Sequence, residues 1–463
     1  MPENNAGEDL EQSLASDPEQ QRSHGVITAV LTADNHLGYT AFAQHPRKRE
    51  ERRQQLRQAF QRATDFAVGQ GVDLFIQAGD LFDTASPDER DRSFVAERLA
   101  QLRQAGIRTF ALGGMHDTPV DTHHPTWGAG TLPGGQVTEL SEVAPAPQIS
   151  YARLGALHYF APHSPSTRAE ASSTPLQPVM VDVRGVRLAI CGLGVLADQE
   201  RNPLALLRVR DDIERASIKL LILHAPIEGL GSSLLDARAQ VSRASIANQS
   251  MFDYILAGYH HEYRRLHIGH CDVIVAGATQ RLDFSDPGDD PGFVFLGLAA
   301  DGIRWCSHIA VDSLPLRRLV VHTSELPPGG TDYIIERLRP LCDTHAMVQL
   351  RLEGELTRRQ YHQLDLNQIQ RYGDEHCFAL AIDDSALSLV ATDSSLAGGT
   401  QEAWDTSEQT VPVENRERLS LREELVALAD EWMAAAQNEQ EKKALQVTKE
   451  ELLAALDEGK ERR

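Results

Sequence analysis

The stretch VITAVLTADNHLGY at residues 26–39 decides the fold: a β-rich apolar run ends in an aspartate and a histidine two residues apart. Working outward, residues 49–70 carry Leu56, Phe60, Ala63 and Ala67 at helical spacing, and DLFIQAGD at 73–80 is a short buried-strand pattern. Residues 90–105 read as helix again, and IRTFALGG at 107–114 as a third strand. This β-α-β-α-β rhythm predicts an α/β fold whose largely parallel sheet is covered by helices. Beyond residue 130 the pattern changes to short strands: LGALHYFAP at 154–162, VMVDVRGVRLAICGLG at 179–194, LLILHAP at 220–226, YILAGYH at 254–260, DVIVAGA at 272–278 and GFVFLGLAADGIRWCSHIAV at 292–311. RGVR and AADGIR inside these runs read as hairpin turns, because their central residues tolerate positive φ.

At 463 residues, with 41% hydrophobic and 24% charged, the chain is long enough for two or three domains with a sizeable core. No apolar run approaches the roughly 18–20 residues of a membrane span, so no membrane association is expected. Residues 1–24 are polar and acidic, which predicts a disordered tail and no secretory signal. Five scattered cysteines without CxxC spacing exclude a dense disulfide framework and a cysteine zinc site, and fit a cytoplasmic location. A net charge of −22 argues against passive adhesion to DNA or anionic lipid. Nucleic acid stays open as a substrate, since a local basic patch or bound cations can reverse the sign near a site.

The β-rich region is expected to end near Pro315, giving a main domain over 25–315. Residues 316–392 read as a small α+β unit with strands VQLRLEG and FALAIDD, and 393–417 as a polar linker. Residues 418–463 read as helical, with capping boxes at Ser420–Glu423 and Thr448–Glu451. Their stripes, Leu421/Leu425/Leu428/Trp432 and Leu445/Leu452/Leu456, fit either packing on the protein's own core or a partner-docking segment.

The candidate chemistry lies at five strand ends: Asp34-Asn35-His36, Gly79-Asp80, Gly113-Gly114-Met115-His116-Asp117, His224, and Gly258-Tyr259-His260-His261. Open α/β sheets place ligand sites at the carboxyl ends of their strands. Each fragment alone is commonplace, but carboxylates and imidazoles at five successive ends converge on one rim. Mixed Asp/His donors suit Mn²⁺, Fe²⁺ or Zn²⁺. Alternation puts Asp34 with His36, and Tyr259 with His261, while Asn35 and His260 face away.

These residues resemble the calcineurin-like metallophosphoesterases, and within them the SbcD-type DNA repair exonucleases and their YhaO-like bacterial branch. The resemblance covers roughly residues 26–320 and rests on ADNHLGY, the arginine-rich segment before the first helix, QAGDLFD, and AGATQRLDFSD followed by GFVFL. It implies a two-sheet sandwich flanked by helices, with a small DNA-capping domain after Pro315 and C-terminal helices. It further implies that Asp34, His36, Asp80 and His261 hold one metal, with Asp80 bridging to a second on His224. His116 would contact the scissile phosphate or protonate the leaving oxygen, and Asp117 would orient it. The implied cofactor is a divalent metal such as Mn²⁺, as two ions or one. The implied partners are DNA, an SbcC-like SMC-type coiled-coil ATPase and a second copy of the chain.

Two positions depart from that pattern. Met115 stands where the family has a metal-binding asparagine, and Tyr259 where it has a histidine. A thioether is a poor ligand for Mn²⁺, whereas a phenol binds once a cation has lowered its pKa. Residues 47–57, RKREERRQQLR, hold six basic and two acidic side chains. They read either as a solvated helix start or as a phosphate-contacting edge formed by Arg47, Lys48, Arg49, Arg52 and Arg53. Three functions follow: a metal-dependent exonuclease, a non-catalytic DNA-end or partner-binding subunit, and a metallophosphatase of small phosphate esters.

Overall fold

The structure is a computed structural model that describes residues 25–39, 45–119, 145–161, 176–194, 202–204, 207–230, 240–282, 284 and 290–390. The chain divides into two compact units, Met1–Thr392 and Asp393–Arg463. The expectations for the N-terminal tail, for the linker and for the C-terminal helices lie outside the described residues.

The first sheet contains β1 (Ile27–Thr32), β2 (Leu74–Ala78), β3 (Arg108–Leu112) and β4 (His158–Phe160), mutually parallel and paired in that order. The second contains β5 (Val179–Val183), β6 (Val186–Gly194), β7 (Ile218–His224), β8 (Tyr254–Gly258), β9 (Arg264–Ile268) and β10 (Cys271–Val275), in the order β5-β6-β7-β8-β10-β9. Strands β11 (Gly292–Ala299) and β12 (Gly302–Ala310) return antiparallel to the edge of the first sheet beside β1. The expected hairpins form: Arg184 and Gly185 both take positive φ between β5 and β6, and residues 300–301 turn β11 into β12.

Period-two alternation builds the sandwich. Ile27, Ala29, Leu31, Leu74 and Ile76 of the first sheet pack against Leu188, Ile190, Leu220, Ile222 and Leu256 of the second, all fully buried. The alternate residues Val30, Phe75 and Ala111 face the opposite way, onto Leu56 and Phe60 of α1 (Pro46–Gln70) and Val95 and Leu99 of α2 (Glu89–Gln104). The result is the two-sheet sandwich flanked by helices that the sequence resemblance implies. Each large apolar side chain contributes about 1.5–3 kcal/mol on burial. Pro46 opens α1, and Gly71 in the left-handed conformation closes it on the carbonyls of Ala67 and Val68. Two short helices that the sequence pattern does not predict, α3 (Pro147–Arg153) and α4 (Arg243–Asn248), precede β4 and β8.

After Pro315 the chain forms a third sheet of parallel strands, β13 (Leu316–His322), β14 (Met347–Thr357) and β15 (Ala379–Val390). Helix α5 (Thr331–Leu338) links the first two, and α6 (Arg358–Gln363) with α7 (Leu366–His376) links the last two. Ile334, Leu338 and Ile369 from α5 and α7 close its core over Val321, Leu350 and Leu352. Lys48 of α1 joins this sheet's segment to the rest, donating to the carbonyls of Asp374 (3.0 Å) and Cys377 (3.1 Å). Among the described residues no helix is long and apolar enough to cross a membrane.

Candidate metal centre

Strands β1, β2, β7 and β8 run parallel within their sheets, so their carboxyl ends emerge at a common rim. Sharp turns there bend the side chains inward. Asp34, His36, Asp80 and Tyr259 all take positive φ (47°, 44°, 52° and 82°), and among the described non-glycine residues only Arg184 shares that conformation. Such backbone costs on the order of 1–2 kcal/mol per residue and persists where packing over-determines it, most often at functional sites.

Three donor sets result, each with its ligand atoms within 4.8 Å of one another: Asp34/His36/His261, Asp34/Asp80/His224 and His36/Asp83/His116. Asp80 joins them. Its Oδ2 lies 3.1 Å from His224 Nε2 and 3.9 Å from His36 Nε2, and its Oδ1 accepts the His116 backbone N–H at 2.8 Å. The Asp34 carboxylate accepts the Tyr259 N–H at 3.0 and 3.2 Å. Asn35 turns beneath the rim, where Thr32, Thr279 and Gln77 hold its amide, and His260 accepts from the Ile227 N–H at 2.9 Å.

The residues fit a divalent cation, on three observations. His36 Nε2 is buried with no hydrogen-bond partner, while its Nδ1 sits 3.0 Å from Asp83 Oδ1. His224 spends Nδ1 on the Ala78 carbonyl at 2.8 Å, which leaves Nε2 facing the carboxylates. In both, one ring nitrogen is tied to an oxygen and the other presented, the arrangement that orients metal-binding imidazoles. Glycines make the room: a Cβ on Gly79 (φ +99°) would meet His224 Nδ1 at 2.0 Å, and one on Gly114 would meet Asp80 Oδ1 at 2.1 Å. Gly79→Ala is therefore expected to cost about 2–4 kcal/mol through strain and overlap. A lowered melting temperature together with lost metal uptake would check it.

The electrostatics also suit a cation. Burial raises the Asp34 carboxyl. Burial opposes charge on Asp80 too, but the His224, His36 and His116 rings hold its carboxyl well below the usual carboxylate range. Burial disfavours a charged His224 ring, yet Asp80 and Asp34 keep its proton and push it up to about 9. A metal held by His224 would need the neutral imidazole, so its binding at pH 7 would expel that proton. Affinity for Mn²⁺ is thus expected to rise with pH up to about 9. Calorimetry in buffers of different ionisation enthalpy would read the released proton; pH-independent affinity would show that His224 is not a ligand.

The other expected residues divide. His116 is exposed and stands T-shaped to His36, ring centroids 4.7 Å apart. Its Nδ1 lies 3.3 Å from the Asp83 carbonyl and 3.6 Å from that residue's carboxylate. The expectation that Asp117 orients the His116 ring is corrected: its carboxylate takes the backbone N–H groups of Gly114 (2.9 Å), Leu81 (2.8 Å) and Phe82 (3.3 Å) and the Gln148 amide. Asp117 thereby ties the loop after β2 to the loop after β3, and burial with Asp80 nearby pushes it up to about 7. Met115 is half-buried, and the Tyr259 ring packs edge-on against His224, centroids 5.7 Å apart.

Of the basic edge, Arg52 is fully buried, on Gln55 (2.8 Å) and Gln280 (3.0 Å), and cannot reach a phosphate. Arg53 pairs with Asp88 and Asp91, and Lys48 holds the segment after Pro315. Arg47 is exposed and Arg49 half-buried. Asp83 is the site residue that the sequence reading misses.

No model of a known protein family matches the sequence. Over 347 residues the chain is 24% identical to the DNA double-strand break repair protein Mre11 of Halobacterium salinarum, a match that covers 75% of this chain and 74% of that protein. The protein of the same name from Methanosarcina mazei is 35% identical over 96 residues, 21% of this chain and 15% of the relative. Among solved structures, a dimetal phosphatase from Danio rerio superposes with a TM-score of 0.34 at 10% identity, covering 59% of this chain and 93% of that one. A likeness that weak carries no argument; the fold rests on the strand order and register described above.

Proposed function

We propose that this chain is a metal-dependent phosphodiesterase that acts on DNA ends. The single observation that carries the reading is His36 Nε2, buried and without a hydrogen-bond partner among carboxylates. Asp34, His36, Asp80 and His261 would hold one divalent ion, with Asp80 and His224 turned to a second. Bound there, such ions neutralise phosphate charge and lower the pKa of an attacking water. With His116 Nδ1–H donating to the Asp83 carbonyl, Nε2 is the nitrogen left to face a substrate. The doubly protonated ring would give its Nε2 proton to the departing oxygen and remain as the neutral imidazole. Its exposure suits a group that meets a substrate from solvent.

Similarity along most of the chain to one protein named for DNA double-strand break repair supports DNA as the polymer. Arg47 and Arg49 are the basic side chains at the start of α1 that we assign to the phosphate backbone. Manganese as the working ion, an SbcC-like coiled-coil ATPase gripped by residues 418–463, a homodimer and a cytoplasmic location belong to the same proposal. The ion, the ATPase and the homodimer rest on the sequence resemblance, and the location on the five scattered cysteines.

Met115 and Tyr259 favour a second reading: a DNA-end or partner-binding subunit whose second ion is weak. One experiment separates the readings. The purified chain with Mn²⁺ is given linear duplex DNA, closed circular duplex and bis-p-nitrophenyl phosphate. The exonuclease reading expects loss of the linear duplex alone. Cleavage of only the small ester points to a metallophosphatase, and DNA binding without cleavage to the subunit.

A further inference from the structure

We propose that Cys342 and Cys377 are a thiol pair that closes to a disulfide under oxidation, cross-linking the base of the three-stranded sheet. Thirty-five residues apart in sequence, their sulfurs stand 2.6 Å from one another. The backbone fixes the approach. The Cys342 N–H donates to Leu338 (3.0 Å) at the end of α5, and the Cys377 N–H to Gly373 (2.8 Å) at the end of α7. The Phe378 N–H then bonds the carbonyls of Asp343 (3.2 Å) and Ala346 (3.0 Å), just ahead of the pairing of Met347 in β14 with Ala379 in β15. Both cysteines thus enter adjacent parallel strands from stitched positions, which hold the two sulfurs beside each other.

The two thiols are unequal. Cys342 is half-buried, whereas Cys377 is 2% exposed and burial pushes its thiol up to about 12. Cys342 is therefore the sulfur an oxidant meets first. With a small-molecule disulfide as oxidant, Cys342 attacks one of its sulfurs, forming a mixed disulfide and releasing one thiol that carries off the Cys342 proton. Cys377 then attacks the Cys342 sulfur, and its proton leaves with the second small thiol. The second step is the slower, since the attacking thiolate is scarce.

The location gives the bond a consequence. The Cys377 carbonyl is one of the two that accept Lys48 of α1, so the cross-link would fix the segment through which the three-stranded sheet is held to that helix. Neither Cys191 nor Cys271 offers a comparable pair: both are fully buried with thiols pushed up to about 12.

The test treats the full chain with oxidised glutathione, then counts thiols after denaturation and maps peptides without reduction. The expected result is a fall from the five cysteines of the sequence to three free thiols, and a peptide joining Cys342 to Cys377. A glutathione adduct on Cys342 should precede it. In Cys377→Ser that adduct accumulates; in Cys342→Ser no adduct forms on Cys377. Five thiols remaining in the wild type, or an adduct on Cys342 that never resolves into the cross-link, overturns the proposal. The wild-type map needs no variant, so it decides the matter even where a substitution fails to fold.

Discussion

Replacing Asp80 with asparagine is expected to remove metal-dependent phosphodiester hydrolysis, by on the order of a thousandfold or more, while the protein stays folded. The side chain keeps its size, so neither sheet loses packing. It loses the negative charge that the surrounding His36, His116 and His224 rings share. It also trades an acceptor for a donor: Oδ1 accepts the His116 N–H, so the amide nitrogen would take the position facing His224 Nε2, where it can neither bind a cation nor hold a proton on that ring. Metal content measured on the variant should fall with activity. Full activity in Asp80→Asn would place the reaction elsewhere on the molecule.

His116→Ala separates proton transfer from metal binding. The ring is exposed, so its loss opens no cavity and stability should hold. Turnover should drop by about 10²–10⁴, the usual worth of a general acid, with metal content retained. Substrates whose leaving group departs without a proton should lose less. Loss of metal along with activity would instead make His116 a ligand of the set it forms with His36 and Asp83.

Part of this centre is legible in the sequence because its residues follow directly on buried strands. Asp34 and His36 turn in and Asn35 turns under, as alternation predicts, but all three lie past the end of β1, and the positive φ of Asp34 and His36 rather than a strand pleat places them. Parallel strands then bring residues 34, 80 and 224 to one rim without any long-range information. Asp83 escapes such a reading because an aspartate after Leu81-Phe82 looks like an ordinary turn residue. It arrives beside His36 through a bridge of Leu37 to Phe82 and a hydrogen bond from its N–H to the Leu37 carbonyl, a pairing between loops that no local pattern announces.

The basic segment misleads in the opposite direction. Its charge count suggests a surface, yet Arg52 lies four residues before Leu56 and eight before Phe60, on the buried stripe of α1. Helical spacing carries that signal, and the composition masks it. Asp117 deceives for a different reason: its partners are main-chain amides, which residue types do not reveal. The strand β13 is hard to see in the sequence because Arg317 and Arg318 interrupt its apolar run at the edge of the third sheet.

The most direct measurement is the Mn²⁺-dependent loss of linear duplex DNA by the purified chain, with Asp80→Asn and the double variant Met115→Asn/Tyr259→His in parallel. The proposed function predicts cleavage by the wild type, none by Asp80→Asn, and equal or faster cleavage by the double variant. Cleavage by the double variant alone would contradict it, making the natural chain a silenced nuclease that works by binding.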